Sequence, residues 1–305
     1  MGRSRTGARG GPTSTSSLPE RPRRRSPRPS RPRALREAGI APARALGQHF
    51  LTDAGVVGRI LAAAAITPDD NVVEVGPGLG VLTARLAGAC GHLVAVELDR
   101  RLAARLSEQL ADRPNVTIVQ GDILALRPET LLEAARLPPG APYRVVGNLP
   151  YNIGAAVLRH FLEAEHPPRD LLVMLQREVA QAMTASPGDL SLLGVSVQVY
   201  AQPRRLFDVR PRAFYPPPKV TSSVLRLDVR SEPLVPPAER EHFFAVVRAG
   251  FSAPRKQLRN ALAQGLRRPA ADVETLIIAA GVAPTLRPED LTIDDWLRLS
   301  RRLEP

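Results

Sequence analysis

The chain has 305 residues, 44% of them hydrophobic and 24% charged, the balance of a globular protein with a real core and room for two domains. A single cysteine, Cys90, excludes an internal disulfide and any cysteine-based zinc cluster. The net charge of +12 is local: residues 1–36 hold eleven Arg against one acid, Glu20, a net of +10, so the rest of the chain carries only +2.

Taken in order, residues 1–36 are mostly Arg, Pro, Ser and Gly. Such a segment buries too little apolar surface to offset its ordering entropy, and we read 1–43 as a disordered tail. It is either a solvated arm, an arm that touches polyanions, or the product of an upstream start codon. Prolines at 22, 27, 29 and 32 argue against the amphipathic helix of a transit peptide. Apolar runs such as residues 60–66 fall short of the ~20 residues of a membrane span, and no secretory signal is recognised near the N-terminus. The expectation is a cytoplasmic protein with no membrane partner.

From about Arg44 short apolar runs alternate with helical stretches. Strands are expected at 72–75, 93–96, 116–119 and 144–146, with helices at 79–87, 100–110 and 129–136 between them. Strand alternating with helix predicts a doubly wound, mostly parallel α/β sheet, placed over residues 44–232. Further strands are expected at 171–175, 193–200 and 224–229. Strand signals stop after Arg230, and Pro236-Pro237 reads as a linker. Helices at 239–251, 255–266, 272–280 and 293–303 then predict a small all-helical C-terminal domain over 233–305.

The first expected strand runs into Val72-Val-Glu-Val-Gly-Pro-Gly-Leu-Gly80. Glycines there let the chain turn sharply and a ligand approach bare main chain. The dinucleotide fingerprint would need glycine where Val81 stands, which argues against a nicotinamide dehydrogenase. Glu97 ends the second strand, where a carboxylate can accept hydrogen bonds from two ribose hydroxyls. Asp122 ends the third, placed to meet the edge of an adenine ring. The alternative use of both acids is as helix caps. After the fourth strand comes Asn148-Leu-Pro-Tyr-Asn152. An Asn followed by Pro and an aromatic ring suits the exocyclic amine of a flat base; the alternative is a turn with a buried Tyr. The five His (49, 92, 160, 166, 242) lack metal-ligand spacing, so no metal is expected.

Together with Leu46-Gly-Gln-His-Phe-Leu51, Val96-Glu-Leu-Asp99 and Phe214-Tyr-Pro-Pro-Pro-Lys-Val-Thr-Ser222, these segments resemble the ribosomal RNA adenine N6-dimethyltransferase family. The resemblance is nearest to its small-subunit (KsgA) branch and runs from about Leu46 to the C-terminus. One departure is visible: the family usually has Asn where this chain has His49. The resemblance implies a class I methyltransferase fold using S-adenosyl-L-methionine. It places His49 and Leu51 at the methionine end, the main chain of Gly76 and Gly78 beside it, Glu97 on the ribose and Asp122 on the adenine amine. Asn148 would lie between cofactor and target base, with Tyr151 and Phe214 sandwiching the base; these three are the implied catalytic residues. The implied activity is dimethylation of the N6 amine of adenines, two adjacent ones in a 3′-terminal hairpin loop of 16S rRNA, during ribosome biogenesis. The implied partner is the small subunit or its precursor, met by a monomer. The C-terminal helices would hold the RNA, with Arg255, Lys256 and Arg259 opening one of them. Two alternatives stand beside this: a large-subunit 23S rRNA enzyme giving macrolide resistance, and a non-catalytic rRNA-binding assembly factor.

Overall fold

Four central strands are built from Val- and Leu-rich runs buried on both faces, which only a sheet covered by helices can satisfy. The computed structural model describes Pro32, Leu35, Arg36, Gly39, residues 41–43 and residues 47–303. The expectation of a disordered tail over 1–31 lies outside the described residues. Strands β2 (Asn71–Val75), β3 (His92–Glu97), β4 (Val116–Gln120), β5 (Arg144–Asn148) and β6 (Asp170–Gln176) are parallel. β7 (Ala201–Val209) and β9 (Ser222–Val229) complete the sheet in the order β4-β3-β2-β5-β6-β9-β7, with β9 antiparallel to both its neighbours. A separate two-stranded pair joins β1 (Phe50–Leu51) to β8 (Phe214–Tyr215).

Alternation along each strand feeds two apolar layers. Val73, Val75, Val145 and Val173 face one layer, and Val72, Val146, Leu172 and Met174 the other. The second layer is closed by α1 (Ala54–Ala64) and α2 (Thr83–Leu86). The first is closed by α4 (Pro128–Ala134), α5 (Gly154–Leu162), α6 (Arg177–Met183) and α7 (Leu192–Gln198), while α3 (Arg100–Gln109) covers β3 and β4. The same apolar layer continues without a break into α8 (Arg240–Phe251), α9 (Leu258–Leu266), α10 (Ala270–Ala279) and α11 (Ile293–Arg302), where it ends on the fully buried Trp296 and Leu303.

A charged cluster lies under the opposite, N-terminal ends of the strands. Arg144 grips both carboxylate oxygens of Asp170 (3.0 and 3.2 Å), reaches Asp70 at 3.1 Å, and donates to the Ala64 carbonyl at 2.7 Å. Arg226 adds a second contact to Asp170 at 3.1 Å. The cluster ties the end of α1 to β5 and β6. Burial alone would raise the Asp70 carboxyl, but the Thr67 N–H and Arg144 outweigh it and hold it below the usual range. Among the described residues no helix is long and apolar enough to cross a membrane, and no group of three or more His, Cys, Asp or Glu is placed to hold a metal.

Four expectations need correction. The strand expected at 193–200 is helix α7: Ser191 caps it through the Gly194 N–H, and Gly194, Val195 and Val197 are buried on it, so the alternating valines serve a helix. The strand lies instead at β7, an edge strand whose Pro203 and arginines obscure the pattern but suit an edge. The helix expected at 79–87 is only Thr83–Leu86, since Gly80 is left-handed. The helix expected from 255 begins at Leu258. Arg255 and Lys256 therefore lie in the preceding turn, and Arg259 pairs with Glu274 at 3.0 Å. Finally, Leu35, inside the segment read as tail, is fully buried against Phe50, Leu79 and Leu102.

Candidate active site

The carboxyl ends of β2, β3 and β5 open into one cleft, the place where an open α/β sheet offers main-chain groups to a ligand. Beyond Val75 the chain turns through Gly76, Gly78 and Gly80, all with positive φ (66°, 57° and 78°). A β-carbon on Gly80 would lie 2.5 Å from Leu106 Cδ2, so this turn also sets how closely α3 packs on the loop.

Glu97 closes β3 and is buried. Its Oε2 accepts the Gly78 N–H and its Oε1 the Asp99 N–H, each at 2.9 Å. A carboxylate oxygen has two lone pairs, so each retains one for a ligand. Burial pushes the Glu97 carboxyl up, and the two N–H donors pull against it. Asp99 caps α3 through the Arg101 N–H; burial raises it, but Arg101 outweighs that and holds it below the usual range.

Glu74 is a residue to which the motifs assign no role. It lies on β2, is 1% exposed, lines the cleft, and its Oε2 has no hydrogen-bond partner among the described residues. Burial above all, aided by the neighbouring Glu97, pushes its carboxyl from the ordinary 4.5 up to about 8. The signal was present in the sequence: a lone acid inside a strand buried on both faces.

Asn148 ends β5, and its Nδ2 donates to the His49 carbonyl at 3.1 Å. A carbonyl only accepts, so this bond settles which way the amide faces and leaves Oδ1 as an acceptor. Tyr151 shares a 2.6 Å hydrogen bond with the buried Ser222 hydroxyl, and its ring stacks against the His49 ring at 5.5 Å. Burial raises the Tyr151 phenol, with Ser222 opposing, so it stays neutral.

His49, Leu51, Gly76, Glu97, Asn148 and Tyr151 thus line one cleft. Gly78 is tied to it through Glu97. Asp122 is not on that wall: it is exposed beyond β4, where its Oδ1 accepts the Leu124 N–H at 3.0 Å. Phe214 is on neither this wall nor that of an adjoining cavity formed by His49, Tyr151, Tyr215, the prolines 216–218 and Lys219. The reason is alternation on β8: its pairing with β1 turns Phe214 into the core, 1% exposed, and Tyr215 towards the cavity.

A family model described as "Ribosomal RNA adenine dimethylase" matches residues 42–304. A relative named ribosomal RNA small subunit methyltransferase A from Dehalococcoides mccartyi (strain ATCC BAA-2266 / KCTC 15142 / 195) is 44% identical over 254 residues, covering 83% of this chain and 86% of its own length. The protein of the same name from Moorella thermoacetica is 41% identical over 286 residues, covering 90% and 98%. Among solved structures, the 23S rRNA methyltransferase ErmE is 33% identical with a TM-score of 0.65, covering 83% of this chain and 99% of its own. A dimethyladenosine transferase from Plasmodium falciparum has the same fold at 20% identity, with a TM-score of 0.70 over 82% and 96%.

Proposed function

The chain belongs to the ribosomal RNA adenine dimethylase family, and from that premise we propose that it dimethylates the N6 amine of adenines in small-subunit 16S rRNA, with S-adenosyl-L-methionine as methyl donor. Relatives of 40–44% identity carry the small-subunit name, whereas ErmE stands at 33%. That contrast favours the small-subunit over the large-subunit reading. We place the substrate as the small subunit or its precursor, met in the cytoplasm by a monomer.

The cleft fits the donor. A buried carboxyl with an orphaned oxygen beside a second acid suits a ligand that carries positive charge. When bound, S-adenosylmethionine supplies a methyl group on a sulfonium, open to attack by a lone pair. Glu97 would take the ribose hydroxyls on its spare lone pairs, and Glu74 the charged methionine end. Leu51 and the main chain at Gly76 and Gly78 would shape the wall, with Asp122 Oδ2 reserved for the adenine amine at the outer rim.

The target amine is a poor nucleophile because its lone pair is shared with the ring. Two acceptors on its hydrogens favour a pyramidal nitrogen and free that lone pair. Asn148 Oδ1 is the first acceptor and the Leu149 carbonyl the second. Tyr151 gives the base a flat face. Catalysis is then positioning and electrostatics, with no strong base required. Phe214 supports this wall from the core, while Tyr215 faces the base. The helices beyond residue 232 would hold the RNA. The observation that carries the reading is the Asn148 amide, whose bond to the His49 carbonyl leaves its acceptor free.

The test is mass spectrometry of 16S and 23S rRNA from a strain lacking this activity. Wild-type protein should restore N6,N6-dimethyladenine in 16S, and Asn148→Ala should not. Restoration in 23S alone would support the large-subunit reading, and restoration by neither protein the assembly factor.

A further inference from the structure

We infer that the His49 side chain is a positioning residue for the target base: it braces the Tyr151 ring from one face, so that the opposite face is held ready for the adenine. The inference rests on the reading above and assigns the His49 ring to the base side of the site, not to the methionine end.

Four contacts carry it. The His49 Nδ1 lies 2.7 Å from the Pro216 carbonyl oxygen, and a carbonyl can only accept, so Nδ1 carries the hydrogen and the ring plane is set. That ring meets Tyr151 at 5.5 Å with 29° between planes, an offset stack. The Tyr151 hydroxyl is held at the other end by the fully buried Ser222 at 2.6 Å. Tyr151 is therefore fixed at its tip and on one face. Without the imidazole the ring would keep its Cβ and hydroxyl anchors but could turn about the axis that joins them. The brace spans segments remote in sequence, and the left-handed Gly47 (φ 62°) swings residues 48–49 across the 148–152 loop to make it.

The fourth contact makes the inference testable. The bond that orients Asn148 is taken by the main-chain carbonyl of His49, not by its side chain. Replacing the ring therefore spares the amide that faces the target amine.

The experiment compares wild type, His49→Ala and His49→Phe. Methyl transfer to small-subunit RNA gives kcat, calorimetric titration gives the affinity for S-adenosylmethionine, and 2-aminopurine at the target position reports stacking through fluorescence quenching. His49→Ala should lower kcat about tenfold and weaken the quench, with donor affinity changed less than about twofold, as expected when a positioned group is loosened. His49→Phe keeps the face without the hydrogen bond and should recover most of both. Weakened donor binding in His49→Ala with normal kcat at saturating donor would move the ring to the methionine end. Normal kcat and normal quench would leave it without a role in base positioning. Wild-type protein that transfers no methyl group would overturn the proposed function instead, which separates the two failures.

Discussion

Replacing Glu74 by Gln should make the protein more stable at neutral and alkaline pH, and the gain should grow with pH. Glu74 is 1% exposed and its carboxyl is raised from 4.5 to about 8. The unfolded chain ionises near the ordinary value, so the folded state binds one more proton between the two. Stability from this group is complete below the unfolded value and disappears as pH rises towards the folded one. Linkage over that interval gives a wild-type decrease of roughly 2–3 kcal/mol between about pH 5.5 and about pH 7.5 from this group alone. Gln is the neutral isostere of the protonated acid, so Glu74→Gln should match wild type at the acid end and lack the decrease. Urea denaturation of both proteins across that range measures the difference, and other titrating groups cancel in the comparison. Parallel stability profiles would refute the assignment of a buried, protonated Glu74. The same substitution should weaken S-adenosylmethionine binding, since the cationic ligand would lack the charge it draws out.

Four further outcomes follow from the same geometry. Arg144→Met leaves Asp170 and Asp70 with buried charge and should cost about 3–5 kcal/mol in chemical denaturation; a change within error would make the cluster incidental. Gly80→Ala must place a β-carbon 2.5 Å from Leu106 at φ 78°, so a destabilisation of about 1–3 kcal/mol is expected, read as a lower melting temperature. Glu97→Ala should weaken S-adenosylmethionine binding by about 1.5–3 kcal/mol in calorimetry, the range for hydrogen bonds to a charged group. Removing residues 1–31, which hold nine Arg and Glu20 and stop short of the buried Leu35, should leave the melting temperature nearly unchanged. The slope of log affinity for RNA against log salt should become shallower by ~0.7–0.9 for each phosphate that the arm neutralises.

Much of the chemistry was legible in the chain itself. A buried strand running into glycines, an acid ending the next strand and Asn-Leu-Pro-Tyr after the fourth are local patterns, and each depends on residues that remain adjacent after folding. The parallel sheet follows from them, because alternating apolar runs and helices leave few other ways to bury both faces. Glu74 stood in plain view in the glycine motif, yet its meaning needed its burial: only the folded sheet removes water from that carboxylate and sets Glu97 beside it. The segment 193–200 reads as a strand by its alternating valines, and the capped, buried helix that forms there overrules that period. Which of Phe214 and Tyr215 lines the cavity could not be read from the sequence either, since the pairing of β8 with β1 decides which ring turns inward. Local pattern was thus enough for the sheet, the glycine turn and the polar groups at its rim. The brace of His49, Tyr151, Pro216 and Ser222 exists only in the folded molecule, because its contacts join residues up to 167 positions apart and depend on packing that no local pattern encodes.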